Sequence, residues 1–116
     1  SCDSLRSVEI SVTAGTIGPG AFSRCSELEN LMIANGVLSI GSNAFESCRA
    51  LTVVSIPEGV TFIGASAFAR CSGLVDLDLP ESVTSIGDEA FSDCTSLTEL
   101  TIPPLVESIN EGLFRR

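Results

Sequence analysis

Histidine, lysine, tyrosine and tryptophan are all absent from these 116 residues. Their absence removes the Ser-His-Asp triad, the Cys-His pair, the lysine Schiff base and imidazole ligation of a metal. What is left for chemistry is carboxylates, arginines, hydroxyls and five thiols. No C-x-x-C pair offers zinc two neighbouring sulfurs, and the isolated glycines do not form a phosphate-cradling Walker loop. Positive charge is scarce too: six arginines face fifteen acidic residues, for a net charge of -9. A surface of that sign repels nucleic-acid phosphates and anionic lipid headgroups, and favours a basic protein partner. No apolar run reaches the length of a membrane span. The composition therefore points away from an enzyme, a cofactor, a metal, nucleic acid and direct membrane insertion.

Against these absences stands one regularity. Cys2, Cys25, Cys48, Cys71 and Cys94 are separated by 23 residues each time. The same interval carries Phe22, Phe45, Phe68, Phe91 and Phe114, then Ile17, Ile40, Ile63, Ile86 and Ile109, then Leu5, Leu28, Leu51, Leu74 and Leu97. Ser1 precedes five units, 2–24, 25–47, 48–70, 71–93 and 94–116. A fixed period of this size marks a solenoid, in which each unit buries its apolar face against the next. The chain reads as one such segment over 1–116, cut from a longer array, since it opens and closes in mid-unit.

The fourth unit shows how one coil is made. Leu74 to Leu79 reads L-x-x-L-x-L, an alternation of period two that predicts a strand with Leu77 and Leu79 inward and Asp76 and Asp78 outward. Pro80 removes a ladder donor and stops it, and Glu81-Ser82 turn the chain. Val83 to Ile86 predicts a second, shorter extended piece. Gly87 then suits a reversal, Asp88 a cap, and the residues to Asp93 one or two helical turns of α or 3₁₀ type. The expected fold class is an α/β repeat solenoid of right-handed coils, with one parallel strand per unit, in register at about 4.8 Å per rung.

Two stretches, V-L-S-I-G-S-N-A-F-E-S-C-R-A-L-T-V-V-S-I-P and V-T-S-I-G-D-E-A-F-S-D-C-T-S-L-T-E-L-T-I-P, resemble the BspA-like, or treponemal-type, leucine-rich repeat. Ser11 and Ala34 stand where that pattern has Pro, and Asn110 and Leu113 also depart from it. The resemblance implies a cell-surface or secreted protein that adheres to host proteins or other cells. It brings no catalytic residue with it.

Three groups of residues are candidates for function. The cysteines, stacked at a spacing a disulfide tolerates, read either as a column of reduced, buried thiols or as a redox or metal-binding ladder. Asp76, Asp78 and Glu99 gather three like charges on one face, offset either by solvent and salt or by a cation or basic partner. The outward positions of the strands, Ser7, Glu9, Asn30, Met32, Val53, Ser55, Asp76, Asp78, Glu99 and Thr101, vary while inward ones repeat. They are the expected protein-binding face, with Met32 and Val53 at its centre. A different reading makes the segment a scaffold or spacer that associates end to end through its open rungs or sits in a larger complex. In that reading Phe62, which replaces the Thr16, Ser39, Ser85 and Ser108 of its column, is an outer contact.

Overall fold

A computed structural model describes residues 4–10, 15–98 and 100–106. The strands are short because each crosses only one side of a coil. They are β1 (Ser7–Ile10), β2 (Gly15–Ile17), β3 (Asn30–Ile33), β4 (Val37–Ile40), β5 (Val53–Ser55), β6 (Phe62–Ile63), β7 (Asp76–Asp78) and β8 (Ser85–Ile86). All pairings are parallel, and nearly all match residues one 23-residue period apart, as in Ser39↔Phe62 and Val54↔Leu77. The chain is a parallel-strand β-solenoid.

The longer strands do not form the unbroken sheet the repeat suggests. β1 pairs with β3 and β5 with β7, but no ladder joins β3 to β5. The continuous sheet runs instead through the minor extended pieces, in the order β2-β4-β6-β8. Here the side chains help: Thr16 Oγ1 lies 2.7 Å from Ser39 Oγ, a cross-strand hydroxyl pair of the kind that supports neighbouring strands.

Among the described residues there is no helix, which corrects the expected α/β class and its helical turns. The reason lies in where the backbone donors go. In the second coil Ala44, Glu46 and Cys48 donate to the carbonyls of Gly41, Asn43 and Phe45, each three residues back. The alternating Asn43, Phe45 and Ser47 donate instead to Ala65, Ala67 and Ala69 of the next coil, at 2.8–3.0 Å. A helix needs every donor for its own axis; here half are committed to the neighbouring rung. The outcome is a chain of tight turns whose third residues, Asn43 and Ser47, have φ of 60° and 62°. That left-handed conformation is what a type II turn requires and what no helix interior contains.

The expected role of Gly87 also changes. Gly41, Gly64 and Gly87 do not have positive φ. A Cβ built on Gly64 would sit 2.6 Å from the Ser42 backbone nitrogen, and one on Gly87 2.4 Å from that of Ala65. Glycine occupies this column because the preceding rung passes too close for a side chain. Asp88 spends its backbone carbonyl on the Ser66 N–H rather than capping a helix.

The columns fill the interior as the period requires. Phe45, Phe68, Ile40, Ile63, Leu28, Leu51 and Leu74 are fully buried, together with the second-position valines Val37, Val60 and Val83. The phenyl rings of Phe22, Phe45, Phe68 and Phe91 stack with centroids 5.4, 5.3 and 6.0 Å apart and planes within 17°. Leu5 departs from its column at 37% exposed. Cys2, Ile109 and Phe114 lie outside the described residues.

Candidate protein-binding face

Each of β1, β3, β5 and β7 alternates, because successive side chains point to opposite faces. Val54 and Leu77 are buried while their neighbours Val53, Ser55, Asp76 and Asp78 are exposed. The same alternation exposes Ser7, Glu9, Asn30 and Met32 on β1 and β3, and Thr101 on the last described rung. Glu99 lies outside the described residues, so its place beside Asp76 is an expectation only.

The register sets neighbours on this face. Ser7 lies opposite Asn30 and Glu9 opposite Met32; Val53 lies opposite Asp76 and Ser55 opposite Asp78. Asn30 Nδ2 donates to Ser7 Oγ at 3.4 Å, a long contact that leaves both side chains available. Met32 and Val53, at 66% and 57% exposed, flank the gap between β3 and β5. Apolar side chains this open keep an unpaid hydration cost that a partner can relieve. Val75, 56% exposed just before β7, adds a third to the series, outside the outward positions that strand alternation marks. Its column holds Arg6, Glu29, Thr52 and Thr98, so its signal was an apolar residue in an otherwise polar column.

At the other end of the face, Asp76 and Asp78 open onto a shallow cavity of about 300 Å³, lined also by Leu77, Leu79, Leu100 and Thr101. No group of three or more His, Cys, Asp or Glu side chains among the described residues has metal-binding geometry. The two aspartates thus present acceptor oxygens in a mainly polar recess, a setting suited to an ammonium or guanidinium group.

The cysteine column is chemically quiet, and it is not uniform. Cys48, Cys71 and Cys94 are free and buried. Each thiol donates to the carbonyl of a Phe one coil back: Cys48 to Phe22, Cys71 to Phe45 and Cys94 to Phe68, at 3.1–3.2 Å. The same Phe45 oxygen also accepts the Cys48 N–H. Cysteine thus serves as a small hydrophobe with one weak donor, placed where a buried carbonyl has a spare lone pair. Burial pushes the Cys48 and Cys94 thiols up to about 11 and that of Cys71 further still. Cys25, by contrast, is disulfide-bonded, with its partner outside the described residues. A column of five reduced thiols is therefore not what forms.

On the second sheet Phe62 projects outward at 42% exposed, as its break from a hydroxyl column suggests, with Leu38 47% exposed on the adjacent strand. Arg70 Nε lies 4.0 Å from Asp93 Oδ2, both well exposed, as a pairing across rungs. Among the described residues no helix is long and apolar enough to cross a membrane.

The chain matches the BspA type leucine-rich repeat region over residues 1–116, in six copies. No protein of curated function matches it. Similar solved structures include a leucine-rich repeat protein of Bacteroides ovatus, 32% identical with a TM-score of 0.79 over 83% of this chain and 24% of that one. The leucine-rich repeat protein of T. pallidum is 29% identical, with a TM-score of 0.86 over 94% of this chain and 52% of its own. A leucine-rich cell surface protein of Faecalibacterium prausnitzii is 35% identical, at 0.66 over 84% and 32%. The chain thus spans between about a quarter and a half of the lengths of these proteins. With its 23-residue period, parallel coils and full-length match, it belongs to the BspA-type leucine-rich repeat family.

Proposed function

We propose that this chain is a non-enzymatic protein-interaction module that takes a protein ligand on the face of β1, β3, β5 and β7. One observation carries the reading: all nine described variable positions of that face are exposed, while of the positions between them Val54 and Leu77 are buried and Val8, Leu31 and Leu100 pack partly buried against the core. A scaffold that needed only its stack would have no reason to vary them one by one. Met32, Val53 and Val75 supply apolar contact, and Asp76 and Asp78, with Glu99, attract a basic partner. A cell-surface setting agrees with the F. prausnitzii neighbour's description and with a disulfide at Cys25.

The test is a binding panel of purified cell-surface and matrix proteins of both charge signs. Replacing Asp76, Asp78 and Glu99 by Asn, Asn and Gln keeps the shapes and removes three charges. Association with a basic partner should slow and lose its salt dependence, and Met32→Ser with Val53→Ser should raise the dissociation rate. Unchanged rates in both variants would place the ligand elsewhere.

A second reading, a scaffold subunit, draws on Phe62, exposed on the continuous sheet opposite Ser39. Concentration-dependent association lost in Phe62→Ser would favour it; a monomer at all concentrations would not.

A further inference from the structure

The chain's few cations are not scattered. Of the four arginines among the described residues, three line one groove along the turns that lead into β3, β5 and β7. Arg24 closes the first unit and Arg49 and Arg70 lie at the start and end of the third, with Ser26 and Ser47 of the second between them, around a cavity of about 390 Å³. It adjoins a second of about 350 Å³ that shares Arg49 and Arg70 and ends at Asp93. In a molecule of net charge -9, arginines should find acids nearby. Among the described residues neither Arg24 nor Arg49 has an acidic partner within 4.0 Å, and Arg70 has only the long, exposed contact with Asp93. Arg24 and Arg70 moreover hold φ of 65° and 63°, a conformation easier for Gly or Asn. Two long charged side chains thus stand where the backbone alone would favour small ones.

We infer that the Arg24–Arg49–Arg70 groove binds a short, extended acidic peptide segment of a partner protein, separately from the acidic strand face. Guanidinium groups pair with carboxylates through two parallel hydrogen bonds, so three of them recognise acidic side chains specifically. Rungs repeat at about 4.8 Å, which spreads three arginines over roughly 10 Å. An extended peptide places same-face side chains about 7 Å apart, so alternating Glu or Asp residues match that span within the reach of flexible arginines. The serine hydroxyls lie where they can meet the peptide's backbone. Asp93 closes the far end, which limits the acidic stretch to a few residues. The rest of the molecule repels long polyanions, while screening beyond about 8 Å leaves a short segment governed by the local cluster. A glycan fits less well, since among the described residues no aromatic ring lines the groove to receive the apolar face of a sugar.

The experiment is fluorescence anisotropy of a labelled Glu-Ser-Glu-Ser-Glu peptide titrated with the whole chain at low ionic strength. Saturable binding is expected, with Gln-Ser-Gln-Ser-Gln failing to bind. Each of Arg24→Gln, Arg49→Gln and Arg70→Gln should weaken binding about two- to five-fold, and the triple variant more than ten-fold. Circular dichroism should show the variants folded, since Gln replaces Arg at an exposed site. The double variant Asp76→Asn, Asp78→Asn should bind the peptide at least as well, which separates this groove from the strand face. Failure of the peptide to bind, or equal binding by the triple variant, would overturn the assignment. So would tighter binding of inorganic phosphate or a sulfated oligosaccharide than of the peptide.

Discussion

Gly64 and Gly18 occupy equivalent positions in the repeat, and the same substitution should have opposite signs at the two. A Cβ on Gly64 meets three backbone atoms of the Gly41–Ser42 link: the Ser42 nitrogen at 2.6 Å, the Gly41 carbonyl carbon at 2.8 Å and the Ser42 Cα at 3.0 Å. None of these is the tip of a flexible side chain. Restoring an ordinary contact requires the two rungs to part by about 0.8 Å, which carries a hydrogen bond of ordinary length past its useful range. The Gly64 N–H to Ile40 bond at 2.8 Å and the Asn43 N–H to Ala65 bond at 3.0 Å span this same junction. Losing two or three such bonds at about 1 kcal/mol each, with looser packing around them, gives a cost of roughly 2–4 kcal/mol for Gly64→Ala. A Cβ on Gly18 meets nothing within 4 Å, and its φ is not left-handed. Gly18→Ala should therefore stabilise by about 0.4–1 kcal/mol, by restricting the unfolded chain. Urea unfolding followed by circular dichroism reads both values. Equal effects at the two sites, of either sign, would refute the argument that rung proximity selects glycine in this column.

Truncating Phe68, fully buried between two stacked rings, should cost about 3–5 kcal/mol as Phe68→Ala, whereas the exposed Ser55→Ala should cost under about 0.5; chemical denaturation distinguishes them. Alkali should unfold the chain, because thiols ordinarily near 9.0 are raised to about 11 at Cys48 and Cys94 and higher at Cys71. Their contribution is intact below pH 9 and declines as pH rises towards 11, by up to about 1.4 kcal/mol per pH unit for each thiol. Neither Lys nor Tyr is present to confuse that window, so a melting temperature constant from pH 8 to 10.5 would contradict it. Glu89, at φ 58° where equivalent coils have Gly20 and Asn43, should yield about 0.5–1 kcal/mol of added stability as Glu89→Asn, seen as a higher thermal midpoint.

The period made the columns legible, because a residue that recurs every 23 positions has the same neighbours in every coil. Phe45, Ile63, Leu51 and Cys71 needed no more than that to be placed inside. The outward strand positions followed from alternation. The turns were not legible: Gly-Asp-Glu-Ala-Phe-Ser has the composition of a helical turn, and only the adjacent coil, competing for donors such as those of Asn43 and Phe45, decides otherwise. The gap between β3 and β5 leaves no mark in residue type beyond Ala34 in place of Pro. The arginine groove was hidden for a simpler reason. Arg24 and Arg49 are 25 residues apart, off the period, so they fall in different columns of the repeat and meet only once the turn folds.

The alternation of donors in the turns also governs how the molecule can change in length. Every second N–H in that stretch belongs to the next coil, and its neighbours close the coil they sit in. Adding or deleting one residue there would exchange the two sets and misdirect each bond downstream of it. Adding or deleting a whole unit leaves all of them matched. Duplication of complete units is therefore the route of growth this backbone tolerates, and each copy extends the binding face by one rung with outward positions free to diverge.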